Sequence, residues 1–284
     1  MDLGDAFAYC FRIVKQGDKE RYLLCLLPPL EYRPALIALH AFNDTISRIP
    51  ETVSEPLLGQ IRMQWWWDAI NSLYKGGRPV AQPIVEALSY TVKRYALDRE
   101  SFERMLVARE KDVAQWQAET LQDLETYAEA TSGELLALSF AVLGEKNQDA
   151  LQVGRTIGTA YALIGLVRSI GFHARQGRFL MPRDLVEVER VNVREILSLI
   201  PSPGLSNIVN QVANRAASLI AVARTQYAKV SYPARTLLLE ARIAEHHFKR
   251  LRALRFNPFD PHMAQNTDGL IVWRLVLRHF LRLY

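Results

Sequence analysis

Glu245-His246-His247 is the densest run of metal-ligating side chains in this sequence. Neighbouring residues of a helix point about 100° apart, so the two imidazoles do not share one ion without further ligands, and no metal site is expected there. Cys10 and Cys25 sit in apolar, helix-like surroundings with no ligand spacing around either, and read as structural thiols of a reducing compartment. Asp44 and Arg48 stand one helical turn apart and read as an ion pair. Asp68 follows Trp65-Trp66-Trp67 and is expected on a solvent face, with the tryptophans packing between helices, while Asp112 stands alone. A cationic row is clearer: Arg274, Arg278 and Arg282 recur at four-residue spacing, with Leu270, Ile271, Trp273, Leu277, Phe280 and Leu281 on the other faces. A basic amphipathic helix at about 268–284 fits an anionic membrane surface. The plainer expectation is a terminal helix packed on the protein with its arginines in water.

These groups need a scaffold, and the composition supplies one. The 284 residues are 49% hydrophobic, enough for a sizeable core and outside the range of disordered chains. Arg242 to Tyr284 holds eight Lys/Arg against three Asp/Glu, which accounts for the whole net charge of +5 and favours anionic partners. No nucleic-acid-binding motif accompanies this basic end, and nucleic acid is not an expected partner. The opening MDLGDAFAYCF carries acids and no apolar core of a secretory signal. No run reaches the roughly 18 uncharged apolar residues that span a bilayer, so a cytoplasmic protein is expected.

Apolar residues recur at helical spacing almost throughout, and nothing reads as a strand. In segment 31–48, Leu36, Leu39, Phe42 and Ile46 form one stripe. The spacing predicts further helices near 56–75, 80–96, 101–118, 121–143 and 147–171, then near 206–230, 232–254 and 268–283. Thr120 and Asp123 form a capping-box-like start, and Gly76-Gly77-Arg78-Pro79 and Gly144 to Gln148 are breaks. The breaks are short and no Pro/Ser-rich linker occurs, which predicts a single domain over 1–284.

The stretch from Ile157 to Pro182, IGTAYALIGLVRSIGFHARQGRFLMP, resembles the signature of the squalene/phytoene synthases. That family writes a Leu-Gly-x-Ala helix running through Asn-Ile-Leu-Arg-Asp into Gly-Arg-x-Tyr-Leu-Pro, and the spacing here is unbroken from Gly158 to Pro182. Ala38-Leu39-His40-Ala41-Phe42 is similar to the family's Ala-Leu-Tyr-Ala-Phe, and Arg62 to Gly77, Pro83 to Leu88, Asp112 and Asp123 to Tyr127 fall on further family elements. The resemblance covers about residues 8–250 and implies an all-α isoprenoid-synthase fold, a helical bundle around a central cavity.

The departures bear on function. Family enzymes condense two prenyl diphosphates, with Mg²⁺ bridging each diphosphate to aspartates four residues apart on two facing helices. In the first motif those positions fall on Ser47 and Glu51, and Arg48 replaces the adjacent aspartate. In the second they fall on Ser169 and His173, and the polar residues one and two turns earlier are Gly165 and Ala162. A neutral histidine prefers transition metals to magnesium. The resemblance therefore implies two degenerate motifs, no catalytic residue, no metal and no cofactor; magnesium belongs only to the alternative, an active prenyltransferase with an altered diphosphate site. Arg48, Arg168, Arg175 and Arg178 remain, and arginine forks hold phosphate without an ion. A cavity shifted toward positive charge is the expectation, and a further alternative is that it holds a prenyl phosphate, quinone or lipid headgroup directly.

Within the family the sequence resembles the branch that has lost its aspartates, the assembly factors of respiratory complex I (NADH:quinone oxidoreductase) and their bacterial homologues. Tyr22-Leu23 through Pro28 to Ala41-Phe42-Asn43, Val53-Ser54-Glu55, Arg62-Met63-Gln64-Trp65-Trp66, Tyr127-Ala128-Glu129 and Phe256 to Pro261 carry that resemblance. It implies a pseudoenzyme that helps build the complex, with complex I subunits or other assembly factors as partners. Nothing reads as a mitochondrial targeting peptide, which suits a bacterial homologue, cytoplasmic or peripheral on the inner membrane.

Overall fold

The computed structural model describes residues 2–53, 55–75, 80–264 and 269–282; the break at 76–79 and the side chains of Leu270 and Ile271 lie outside the described residues. Helix α1 (Leu3–Gly17) buries Ala6, Cys10 and Val14, one residue per turn. Its last turn gives way at Asp18, whose carboxylate accepts from the Arg21 backbone N–H at 2.9 Å and so starts α2 (Lys19–Cys25). Both cysteines are buried free thiols, and burial pushes Cys10 up to about 12. Helix α3 (Arg33–Ser47) is buried without interruption from Ala35 to Asn43, which makes it a core helix, and a short 3₁₀ turn (Ile49–Glu51) follows it.

Proline in the first turn opens both α4 (Pro56–Tyr74) and α5 (Pro83–Tyr95), where its missing N–H is not needed. Helix α6 (Arg99–Val113) is capped by Asp98 and stops short of the predicted 118, because the chain turns through Gln115 at φ +54°. The Thr120–Asp123 capping box opens α7 (Leu121–Ala128). A π-helical turn (Glu129–Gly133) then separates it from α8 (Glu134–Val142), where the sequence predicts one continuous helix. There follow α9 (Gln148–Arg168), α10 (Ile170–Arg175), α11 (Arg183–Val188), α12 (Val193–Leu197) and α13 (Pro203–Arg224). A 3₁₀ segment (Ala234–Leu238) behind Pro233 leads into α14 (Leu239–Ala253), and α15 (Gly269–Phe280) packs on α14. No strand occurs among the described residues.

Helix α9 is the centre of the bundle. It packs against α8, α13, α14 and the π turn. By length and composition it is the one helix among the described residues that could cross a membrane, yet Ile157, Leu163, Ile164 and Val167 are buried in the core. Close approach explains the π turn. A Cβ on Gly158 would lie 2.3 Å from the Ser132 carbonyl oxygen, and one on Gly133 would lie 3.0 Å from that of Arg155. Two glycines and a widened turn let the two backbones touch. On the other side α1, α3 and α5 pack together and α4 lies on α6. Trp66 is buried there against Phe42, ring centroids 5.3 Å apart, and Phe42 meets Phe102 at 5.5 Å.

Gly158→Ala is expected to lower the free energy of unfolding by about 3 kcal/mol, since a backbone oxygen cannot move aside. Gly165, also on α9, faces open space: a Cβ there would meet nothing within 4 Å. Gly165→Ala is expected to stabilise by about 0.5–1 kcal/mol through the lower entropy of its unfolded chain. Urea titration of both variants checks the pair.

Candidate functional site

The C-terminal ends of α3 and α9 border a cavity of about 500 Å³. Helix α3 and its 3₁₀ turn contribute His40, Asn43, Asp44, Ser47, Arg48 and Glu51; α9 and α10 contribute Gly165, Ser169 and Phe172. Gly17, Asp18 and Arg21 from the α1–α2 junction and Arg109 from α6 complete the lining. Residues from both sequence stripes thus meet across one space. The second stripe survives the break between α9 and α10, because Ser169 N–H still bonds Gly165 O and His173 N–H still bonds Ser169 O, each at 2.9 Å.

Neither serine offers a free hydroxyl. Ser47 Oγ donates to Asp44 O at 2.9 Å, and Ser169 Oγ donates to Leu166 O at 3.1 Å, so each is bound to its own helix. Arg48 and Asp44 form the expected ion pair at 3.1 Å. Burial raises the Glu51 carboxyl above its usual range, against the opposing pull of Arg48 and Arg178. His173 is not part of the cavity lining; burial first, then the charge of Arg178, lowers it to about 4. Ala162 is half-buried further up α9, outside the cavity lining.

The expected set of cavity arginines is corrected by the structure. Only Arg48 of the four lines the cavity. Arg168 lies 3.8 Å from Glu20, Arg175 donates to Gly171 O at 3.3 Å, and Arg178 reaches Asp112 at 3.5 Å. The arginines that do line it besides Arg48 are Arg21 and Arg109, and three carboxylates, Asp18, Asp44 and Glu51, balance the three cations. The expected positive charge is therefore absent from the lining. Arg21 is held by Glu240, Nη2 to Oε1 at 2.8 Å, by a contact with Ser132 Oγ, and over the Tyr161 ring at 4.4 Å.

Asp112, which stands alone in the sequence, is buried at the centre of a network. Arg109 bonds it at 3.1 Å, and the Tyr127 hydroxyl donates to it at 2.8 Å while accepting from Arg109 at 2.7 Å. Glu20 plays the same part elsewhere, taking the Tyr161 hydroxyl at 3.0 Å and lying 2.6 Å from His247 Nε2. Glu245 of the same run is engaged as well, pairing with Arg224 and, at 3.2 Å, with Arg242. Glu20 and Glu240 carry no spacing signal, because Tyr161 and Arg21 lie more than a hundred residues from them, and Arg21, though 3.9 Å from Asp18, is held more closely by Glu240.

Magnesium does not fit this donor set. The four positions that would carry carboxylates hold two helix-bound hydroxyls, a glutamate whose carboxyl is raised by burial, and a histidine outside the lining, and Asp44 already pairs with Arg48. Among the described residues no group of three or more His, Cys, Asp or Glu is placed to hold a metal ion.

An all-helical bundle with two facing motif stripes defines a class, and residues 14–277 match the squalene/phytoene synthase family model: the chain belongs to that family. Its fold is similar to the crystal structure of a dehydrosqualene synthase in complex with ligand, with a TM-score of 0.87 at 20% identity, covering 99% of this chain and 98% of that one. In sequence it is similar to NADH dehydrogenase (ubiquinone) complex I, assembly factor 6, of Bos taurus, 28% identical over 276 residues, covering 97% of this chain and 82% of that protein. Phytoene synthase of Arthrospira platensis is a more distant relative, 26% identical over 196 residues and covering 63% of this chain and 62% of its own.

Asp112→Ala leaves Arg109 and Arg178 buried without their anion and is expected to cost about 3–5 kcal/mol in a urea titration. His173 adds a pH dependence. Its folded value near 4 lies below the unfolded 6.5, so between those limits only the unfolded chain takes the proton. The contribution is complete above pH 6.5 and is lost as the pH falls toward 4. His40, lowered to about 3 by burial and by Arg21, acts in the same sense. The urea midpoint is expected to fall over that window, and to fall less in His173→Gln.

Proposed function

We propose that this chain is a non-catalytic member of its family that assists assembly of respiratory complex I. The observation that carries this reading is the site itself: residues of both motifs line one cavity, yet the paired carboxylate positions hold Ser47 with Glu51 in one motif and Ser169 with His173 in the other. The nearly full-length similarity to a complex I assembly factor supports it. Complex I subunits or other assembly factors are the partners, and no diphosphate chemistry is assigned to the cavity.

Helix α15 supports a peripheral seat on the membrane that holds the complex. Trp273, Leu277, Phe280 and Leu281 are all more than half exposed, at spacings of four and three residues. Arg274 is exposed beside them, and Arg282 lies 5.1 Å over the Tyr232 ring. Leu275 is buried, so the helix rests on the protein by one face and offers an apolar, cationic face outward. Bilayer anionic headgroups complement those charges.

Deleting the gene is expected to reduce the NADH:quinone reductase activity of isolated membranes, with recovery when the gene is returned; undiminished activity sinks the assembly role. Purified protein with geranylgeranyl diphosphate and Mg²⁺ is expected to form no condensed product. For the membrane seat, vesicles containing phosphatidylglycerol should co-sediment more of the protein than neutral vesicles. Trp273→Ala with Phe280→Ala should lower the amount bound to the anionic vesicles, and an undiminished yield from the double variant counts against α15.

A further inference from the structure

A second space adjoins the cavity. It is a groove of about 390 Å³ between α1 and α4, with Tyr9, Ile13, Ile49, Trp65 and Trp66 among its walls. Groove and cavity share three residues, Gly17, Asp44 and Arg48. The Asp44–Arg48 pair is therefore the partition between them. It lies against the Gly17 backbone so closely that a Cβ there would come 2.9 Å from Arg48 Nη2 and nearer still to Asp44 Oδ1. The Arg48 side chain is 46% exposed, so the partition has room to move. Each space is on the scale of a small-molecule site, roughly 300–1,000 Å³.

The two spaces differ in character. The groove sets Tyr9, Ile13, Ile49, Trp65 and Trp66 beside polar Gln16, Thr45, Thr52 and Arg62, and it continues outward at Trp65 along an exposed apolar ridge on α4, Leu57, Ile61 and Trp65 at four-residue spacing. The cavity is polar but carries as many carboxylates as arginines. A diphosphate placed there without a metal would meet Asp18, Asp44 and Glu51 along with the cations, and like charges brought together out of water repel strongly. An uncharged head needs only donors. On the cavity wall Arg109 Nη2 donates to Asn43 Oδ1 over a long 3.4 Å, a weak bond that a ligand oxygen could replace.

We propose that groove and cavity together hold one uncharged amphiphile, a carbonyl- or hydroxyl-bearing head in the cavity near Arg109 and a long apolar chain in the groove between α1 and α4. A lipid quinone and a long-chain alcohol share this chemistry. The Asp44–Arg48 partition shifts to let the molecule span both spaces. The proposal rests on the non-catalytic reading of the cavity and names the class of molecule that reading leaves room for.

Three probes with one geranylgeranyl chain and different heads test it: geranylgeraniol, a menaquinone carrying that chain, and geranylgeranyl diphosphate with and without Mg²⁺. Calorimetric titration of the full chain should show the alcohol or the quinone binding about tenfold tighter than the diphosphate, a difference of about 1.4 kcal/mol, with no effect of Mg²⁺. The tighter of the two uncharged probes names the source. Tightest binding by the diphosphate, a requirement for Mg²⁺, or saturation by none of the three overturns the proposal. Trp65→Ala, at a position 38% exposed and outside the core, should weaken the uncharged probes about fivefold; unchanged affinity puts the chain elsewhere and overturns the groove assignment. The titration uses purified protein, so its failure leaves a complex I phenotype of the deletion standing, and the reverse also holds.

Discussion

A guanidinium taken out of water needs an anion beside it, and the walls of this cavity follow from that constraint. Arg21 is held by Glu240 and Arg109 by Asp112, while the partly exposed Arg48 lies on Asp44. Glu240 stands on α14, Asp112 on α6 and Asp44 on α3, so the first pairing ties distant elements, the second anchors the α6 wall and the third closes one end of the space. Burying Arg21 also fixes Ser132 and the Tyr161 ring around it, next to the π turn where α9 touches. The cavity lining is polar without carrying a net charge because Asp18, Asp44 and Glu51 match Arg21, Arg48 and Arg109 in number.

The same constraint separates scaffold from chemistry. Helices α3 and α9 stay in place through Leu36, Phe42, Ile157 and Leu163 in the core and through the Gly158 contact, none of which involves the motif positions. Replacing carboxylates by Ser47, Ser169 and His173 therefore costs the bundle little, and each hydroxyl finds a partner on its own helix. A fold can outlast the site grafted on it. What remains at the two stripes is a shaped space whose polarity comes largely from residues outside them, chiefly Asp18, Arg21 and Arg109.

Much of the helical frame is legible from local signals. Proline starts α4 and α5, the Thr120–Asp123 box starts α7, and the apolar stripe of α3 is wholly buried. Helices α1 and α2 fall outside the helices that the spacing predicts, although α1 buries a stripe of Ala6, Cys10 and Val14 at helical spacing. The π turn is invisible there, since its cause, the backbone of α9, lies outside the segment that bends. Around the site, i to i+4 spacing is enough to pair Asp44 with Arg48 and to line up Gly165, Ser169 and His173. It is not enough to say where a side chain ends. Arg168, Arg175 and Arg178 share the signature segment with the stripe, yet each is drawn to a partner beside the cavity rather than into it.

The sequence by itself determined the helical frame, the family and the loss of the paired carboxylates, because spacing along a helix and residue type are local properties. Tertiary structure alone decided the charge of the cavity. That charge is a sum over side chains from α2, α3, α6 and the turns between helices, brought together only when the chain folds, and the carboxylate that holds Arg21 lies 219 residues away from it along the chain.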